Sequence, residues 1–155
     1  MTDQNLSTQS QLRPHWLVVG FLLMLLIAYN VACHLWGAEL RINLDQGQRE
    51  IVKSIFYGIA IVLFPLTNLL RFILVRLNQT MPGDKSAKQR YFFTTTVALL
   101  LIETVAVFGF MLFIFGDDFN TLYVFSVLGA LGLFLQRPKI EELAAIEHAL
   151  SAKNQ

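Results

Sequence analysis

Glu103 is the residue in this chain best placed to do chemistry. It is a carboxyl group at the centre of Tyr91–Phe115, a run that is otherwise uncharged and largely apolar. An acid in the middle of a hydrocarbon-spanning segment is expensive, so it faces a protein interior or marks an ion pathway. Three roles suit it: a protonated acid hydrogen-bonded inside a bundle, a proton or cation carrier, or a contact for a partner helix or lipid. By depth, its expected neighbours are Asn30 and Tyr57, with the long stem of Lys53 nearer the surface. Without a cation beside it, the neutral acid is the resting form to expect. His34 reads as an interfacial side chain. No second acid, His-x-x-His or Cys pair accompanies Glu103, so no metal is expected. A Gly-rich phosphate loop and a nucleophile-and-base arrangement are also missing, so neither an enzyme nor a cofactor is expected.

The elements that must position Glu103 follow from composition. Of 155 residues, 55% are hydrophobic and 15% charged, and 13 are Phe; a soluble domain carries about 25% charge. The net charge of +1 gives no reason to expect nucleic acid as a partner. The lone Cys33 lies in an apolar run and reads as a small buried hydrophobe. Four runs suit membrane helices: 16–36, 51–76 with its tail beyond the bilayer, 91–115 and the shorter 119–135. The third run holds 15 Leu, Ile, Val and Phe residues. At about −0.3 to −0.6 kcal/mol each, these outweigh the roughly +3 kcal/mol of one central acid. The first run reads as a retained anchor rather than a signal peptide.

Four crossings put both termini and the middle loop on one side, with nine of the twelve basic residues, among them Arg13, Arg71, Lys88, Arg137 and Lys139. The positive-inside rule places that side, and both termini, in the cytoplasm. Trp16 and Tyr91 fall at the inner interface, Trp36 and Tyr123 at the outer one. The external loop Gly37–Glu50 alternates charge and is expected to be solvated, and Met81-Pro82-Gly83-Asp84 marks a turn in the middle loop.

At about 100° per residue, Thr95, Thr96, Ala98, Glu103, Ala106 and Gly109 share one side of the third helix, opposite Val105, Phe108 and Leu112. Small residues let membrane helices approach closely, so this side is expected to face protein. The second helix offers Ser54, Gly58, Ile61, Pro65 and Asn68, with a kink at Pro65. The first offers Asn30, Cys33 and His34, and the fourth Ser126, Gly129, Ala130 and Gly132. Beyond Pro138, the spacing of Ile140, Leu143, Ile146 and Leu150 predicts an amphipathic helix lying on the membrane or on a partner, or else a plain solvated helix. The expected architecture is all-α: a disordered tail over 1–12, a transmembrane bundle of two hairpins over 13–136, and a cytoplasmic C-terminal helix over 137–155.

Leu101-Ile102-Glu103-Thr104-Val105-Ala106-Val107-Phe108-Gly109-Phe110 resembles the carboxylate helix of the c-type proteolipid subunits of rotary ATP synthases. That resemblance implies a proton or sodium site at Glu103. The Gly-rich inner helix of that family has no counterpart in Ile51–Leu70 or Trp16–Trp36. The whole chain resembles small four-helix bacterial inner-membrane proteins that share the carboxylate-x-x-Ala-x-x-Gly pattern, a likeness that implies an architecture and no activity. Two functions are expected. One is a non-enzymatic interaction subunit, assembly factor or homo-oligomer, with the bilayer and other membrane subunits as partners. The other is a proton- or cation-translocating element built on Glu103, Asn30 and Tyr57.

Overall fold

The computed structural model describes residues 12–42, 44–81 and 85–153. Among these the chain is all helical, with no strand. α1 is Arg13–Leu40, α2 Gln46–Thr80, α3 Ala87–Ile114, α4 Phe119–Leu135 and α5 Ile140–Lys153. By length and composition, α1, α2 and α3 can each cross a bilayer. α4 has 17 residues, the lower limit of the roughly 17–25 that a crossing needs, and it bends by 40° into α5.

The helix starts are set by residues that satisfy free backbone donors. Asp45, Ser86 and Asp118 accept from the N–H groups of Gly47, Gln89 and Thr121, and Pro14 sits in the first turn of α1. α1 outruns its apolar stretch, passing through a non-helical residue, Trp36 (φ −119°, ψ 16°), to reach Leu40. The connection to α2 is therefore only Arg41–Asp45, shorter than the expected Gly37–Glu50 loop. α2 runs unbroken through Pro65 to Thr80. Of the Met81–Asp84 turn, only Met81 lies among the described residues; residues 1–11 also fall outside them. Leu12, assigned to the tail by its sequence, is buried.

α3 is the spine. It packs against every other helix, and 50% of its most apolar stretch is buried, against 17% for α1 and for α2. Its seam with α4 runs through small residues. A Cβ on Gly109 would lie 2.5 Å from Cβ of Phe125, one on Gly129 2.9 Å from Cβ of Ala106, and one on Gly132 2.5 Å from Cγ2 of Ile102. Ala98 is buried as well. Val105 and Leu112, expected to face outward, are also buried, because α2 covers that side through Ala60 and, with α4, closes a cluster around Phe125.

Two expectations are corrected. The α2 stripe Ser54, Gly58, Ile61, Pro65 and Asn68 is exposed, and nothing lies within 4 Å of a Cβ built on Gly58. α2 packs instead through Phe56, Ala60, Leu63, Phe64 and Thr67, a seam of buried small residues flanked by bulky rings. α5 lies on its own bundle rather than on lipid or another chain: Leu143 and Ile146 are buried with Tyr91 and Leu12. Tyr91, expected at the inner interface, is therefore enclosed by the protein.

Gly109 and Gly58 give a paired test. Gly109→Ala forces a methyl group into Phe125 and should lower unfolding stability in detergent by about 1–3 kcal/mol. Gly58→Ala should be neutral, or stabilising by up to about 1 kcal/mol, through helix propensity. Equal effects of the two substitutions on the unfolding midpoint would refute this packing.

Candidate functional site

Glu103 sits one turn before Ala106, which meets Gly129 of α4 and lies beside Leu26 of α1. The tightness of this seam closes the site. Glu103 is 4% exposed, and neither carboxyl oxygen has a hydrogen-bond partner in the protein. Burying a carboxyl group without hydrogen-bond partners is costly in either protonation state, and more so for the charged one.

The two expected helpers are engaged elsewhere. Asn30 Nδ2 donates to the Ser126 hydroxyl and to the Leu26 carbonyl, each at 2.9 Å, and the Ser126 hydroxyl donates back to Asn30 Oδ1 at 3.3 Å. Tyr57 packs on the Phe125 ring at 4.7 Å. Neither hydrogen-bonds Glu103. On α1, Tyr29 lies near enough to feel the Glu103 charge, and its ring stacks on Phe110 at 5.2 Å. A Tyr seven positions before Trp36 carries no signal that separates it from an interfacial ring, which is why sequence reasoning passed it over. His34 lies exposed at the other end of α1, bonded through Nε2 to the Tyr123 hydroxyl at 2.9 Å and stacked on Phe119.

The densest polar chemistry lies at the α4–α5 elbow. Arg71 of α2 is 4% exposed, and its guanidinium is saturated. Nη1 donates to the Gln136 carbonyl (2.6 Å) and side-chain oxygen (3.0 Å). Nη2 donates to Glu142 Oε2 (2.9 Å), the Arg137 carbonyl (3.0 Å) and the Tyr91 hydroxyl (3.3 Å). Nε donates to Glu142 Oε2 at 3.0 Å. Gln136 passes its own amide to Asn68 at 2.6 Å. The Tyr91 hydroxyl accepts from the Lys139 N–H (2.6 Å) and donates to the Lys139 carbonyl (3.0 Å). One cation thus ties α2, α3, the elbow and α5 together. A signal was available: Arg71 is the single charge within Leu69–Val75.

The opposite end carries a second tie. Gly116 takes φ 95°, a value that favours glycine, and ends α3 with Gly116 N–H bonded to Phe113 and Asp117 N–H to Leu112. This turn presents its carbonyls to the first loop. Arg49 donates to Gly116 at 2.8 Å and Arg41 to Asp117 at 3.1 Å, and Lys53 pairs with the Asp117 carboxylate at 3.1 Å. The loop expected to be free is strapped down. Asp118, outside the apolar runs, accepts from the Thr121 N–H, and that bond holds its carboxyl below the ordinary value. The cap therefore contributes in full above the ordinary carboxylate value and is lost as pH falls from there through the lowered one.

Compared with family models, with curated proteins and with solved structures, the chain matches none of them. Among the described residues, no group of three or more His, Cys, Asp or Glu is placed to hold a metal ion.

Arg71→Met should strand the Glu142 carboxylate and the Gln136 side chain, destabilising the fold by about 3–5 kcal/mol and exposing the elbow to protease. Arg71→Lys should recover only part of this, because an ammonium cannot reproduce the fork. Unchanged melting and protease resistance in Arg71→Met would refute the tie.

Proposed function

We propose that this chain is a multi-pass protein of the bacterial inner membrane. It crosses the bilayer four times, keeps both termini in the cytoplasm, and acts as a non-enzymatic interaction subunit, assembly factor or homo-oligomer. The observation that carries this reading is the pair of long apolar faces left open on α1 and α2. Leu17, Phe21 and Met24 are exposed on α1, and Ile59, Leu66 and Ile73 on α2. Water-soluble monomers rarely leave continuous apolar area on this scale, whereas lipid tails and foreign helices both suit it. α5 takes no part in such an interface through its apolar side, which its own bundle covers. The two polar ties make the bundle a stiff scaffold, as a packing partner requires.

Single cysteines at Ile59, Leu66 and Ile73, introduced into a Cys33→Ala background, test it. Thiol cross-linking in native membranes should join the chain to a second copy or to another membrane protein. Failure at all three positions, with a single chain per nanodisc, would sink the interaction reading.

A second reading rests on Glu103, because a buried acid with both oxygens unpartnered needs an explanation. As a proton-carrying group it would exchange its proton with a group or water brought to it. Carbodiimide should then modify Glu103 alone, faster at lower pH, and Glu103→Gln should abolish pH-driven proton flux in proteoliposomes. Modification that ignores pH, together with normal flux in Glu103→Gln, would leave the acid a purely structural role.

A further inference from the structure

We infer that the α4–α5 elbow is a binding site for the phosphate of an anionic phospholipid. This rests on the membrane reading above. A cavity of about 430 Å³ opens at the elbow, lined by Arg137, Pro138, Lys139, Ile140 and Glu141. That size lies within the roughly 300–1,000 Å³ of small-ligand sites. Its two cations are poorly neutralised by the protein. The Arg137 guanidinium rests on the Phe134 ring, 4.5 Å from its centroid, and has no acidic partner among the described residues. Lys139 Nζ stands 3.9 Å from Glu142, whose other oxygen is held at 2.9 Å by Arg71. Glu141 is the one acid on the lining.

The apolar surroundings separate a lipid from a free phosphate. Phe134 is 61% exposed, and Leu135 and Ile140 are open beside it. Headgroup charge would meet Arg137 and Lys139 while the acyl chains lie along Phe134 and Leu135. A guanidinium is well suited to phosphate, because it offers paired donors and stays charged. Basic pockets at the cytoplasmic ends of membrane helices recognise lipid headgroups by this chemistry. The cavity itself is shaped by the Arg71 tie, which fixes the backbone of Gln136 and Arg137.

The test uses the full chain in mild detergent, titrated with phosphatidylglycerol, phosphatidylcholine or glycerol 3-phosphate, and read by native mass spectrometry. The wild type should retain phosphatidylglycerol about tenfold better than phosphatidylcholine, and Arg137→Gln with Lys139→Gln should remove that preference. Arg76→Gln is the matched control, since Arg76 lies over the Phe72 ring in the same manner without lining the cavity. It should leave the preference intact. Glu141→Gln, at an exposed position, should tighten phosphatidylglycerol binding several-fold, which keeps the proposal falsifiable even if the double variant misfolds. Equal retention of the two lipids, an unaltered preference in a folded double variant, or no tightening in Glu141→Gln would overturn it. Glycerol 3-phosphate binding as well as phosphatidylglycerol would also overturn it, in favour of a soluble anion. Binding in micelles reads the cavity regardless of how many times or in which direction the chain crosses a bilayer. Cysteine labelling of the two termini from either side decides the topology separately.

Discussion

A desolvated guanidinium tolerates little freedom, and Arg71 imposes that constraint on half of this molecule. Removing the cation from water is repaid only if its N–H groups find acceptors of good geometry. Here the acceptors are two backbone carbonyls, a glutamine, a tyrosine hydroxyl and a carboxylate, drawn from three separate stretches of chain. Both carbonyls belong to the residues that end α4. Their engagement by Arg71 sits at the end of α4, just before Pro138, where the chain bends by 40° into α5. α5 then docks through Glu142 on one face and through Leu143 and Ile146 on another.

The Gly116 turn is the counterpart at the far end, and it works through backbone geometry rather than a buried charge. A left-handed residue presents successive carbonyls to Arg41, just after α1, and to Arg49, in the first turn of α2, which donate to them. Lys53 of α2 then reaches the same turn through Asp117. α2 and α3 are thus fastened at both ends, by Lys53 and Asp117 at one and by Arg71 and Tyr91 at the other. Between the two ties the α3–α4 seam leaves no room for a Cβ at Gly109, Gly129 or Gly132, which lie against Phe125, Ala106 and Ile102. Glu103 is dry for that reason.

The helices themselves were legible because long apolar runs with few charges leave little alternative; the bounds of α4 coincide with its run, Phe119–Leu135. Ala98, Ala106 and Gly109 lie buried, but so do Val105 and Leu112 on the side expected to face outward, so the small residues marked one buried side and not the extent of the burial. The packed face of α2 was not legible. In a helix whose two sides are both apolar, periodicity cannot say which side meets protein and which meets lipid, and Phe56 and Phe64 look as suitable for one as for the other. Asn30 and Tyr57 were selected by depth alone, and depth leaves rotation about the helix axis undetermined. Arg71 was counted as a charge marking a side of the membrane. Its partners lie 20 to 71 residues away, beyond the reach of any local pattern.

The ties also single out the element least constrained around Glu103. Among the described residues, the side-chain hydrogen bonds of α1 to α4 lie in its second half, Asn30 to Ser126 and His34 to Tyr123, and its C-cap Arg41 bonds Asp117. Its first half is held by apolar contacts such as Val19 and Leu22 against Leu99, Ile102 and Leu133. Apolar contacts are non-directional and tolerate sliding, whereas hydrogen bonds fix register. α2 and α4 cannot shift against α3 without breaking a charged tie or closing a glycine gap. The first half of α1, packed on Ile102 beside Glu103, is thus the stretch around this acid held by apolar contacts alone, while Tyr29 and Asn30 belong to the half whose register is fixed.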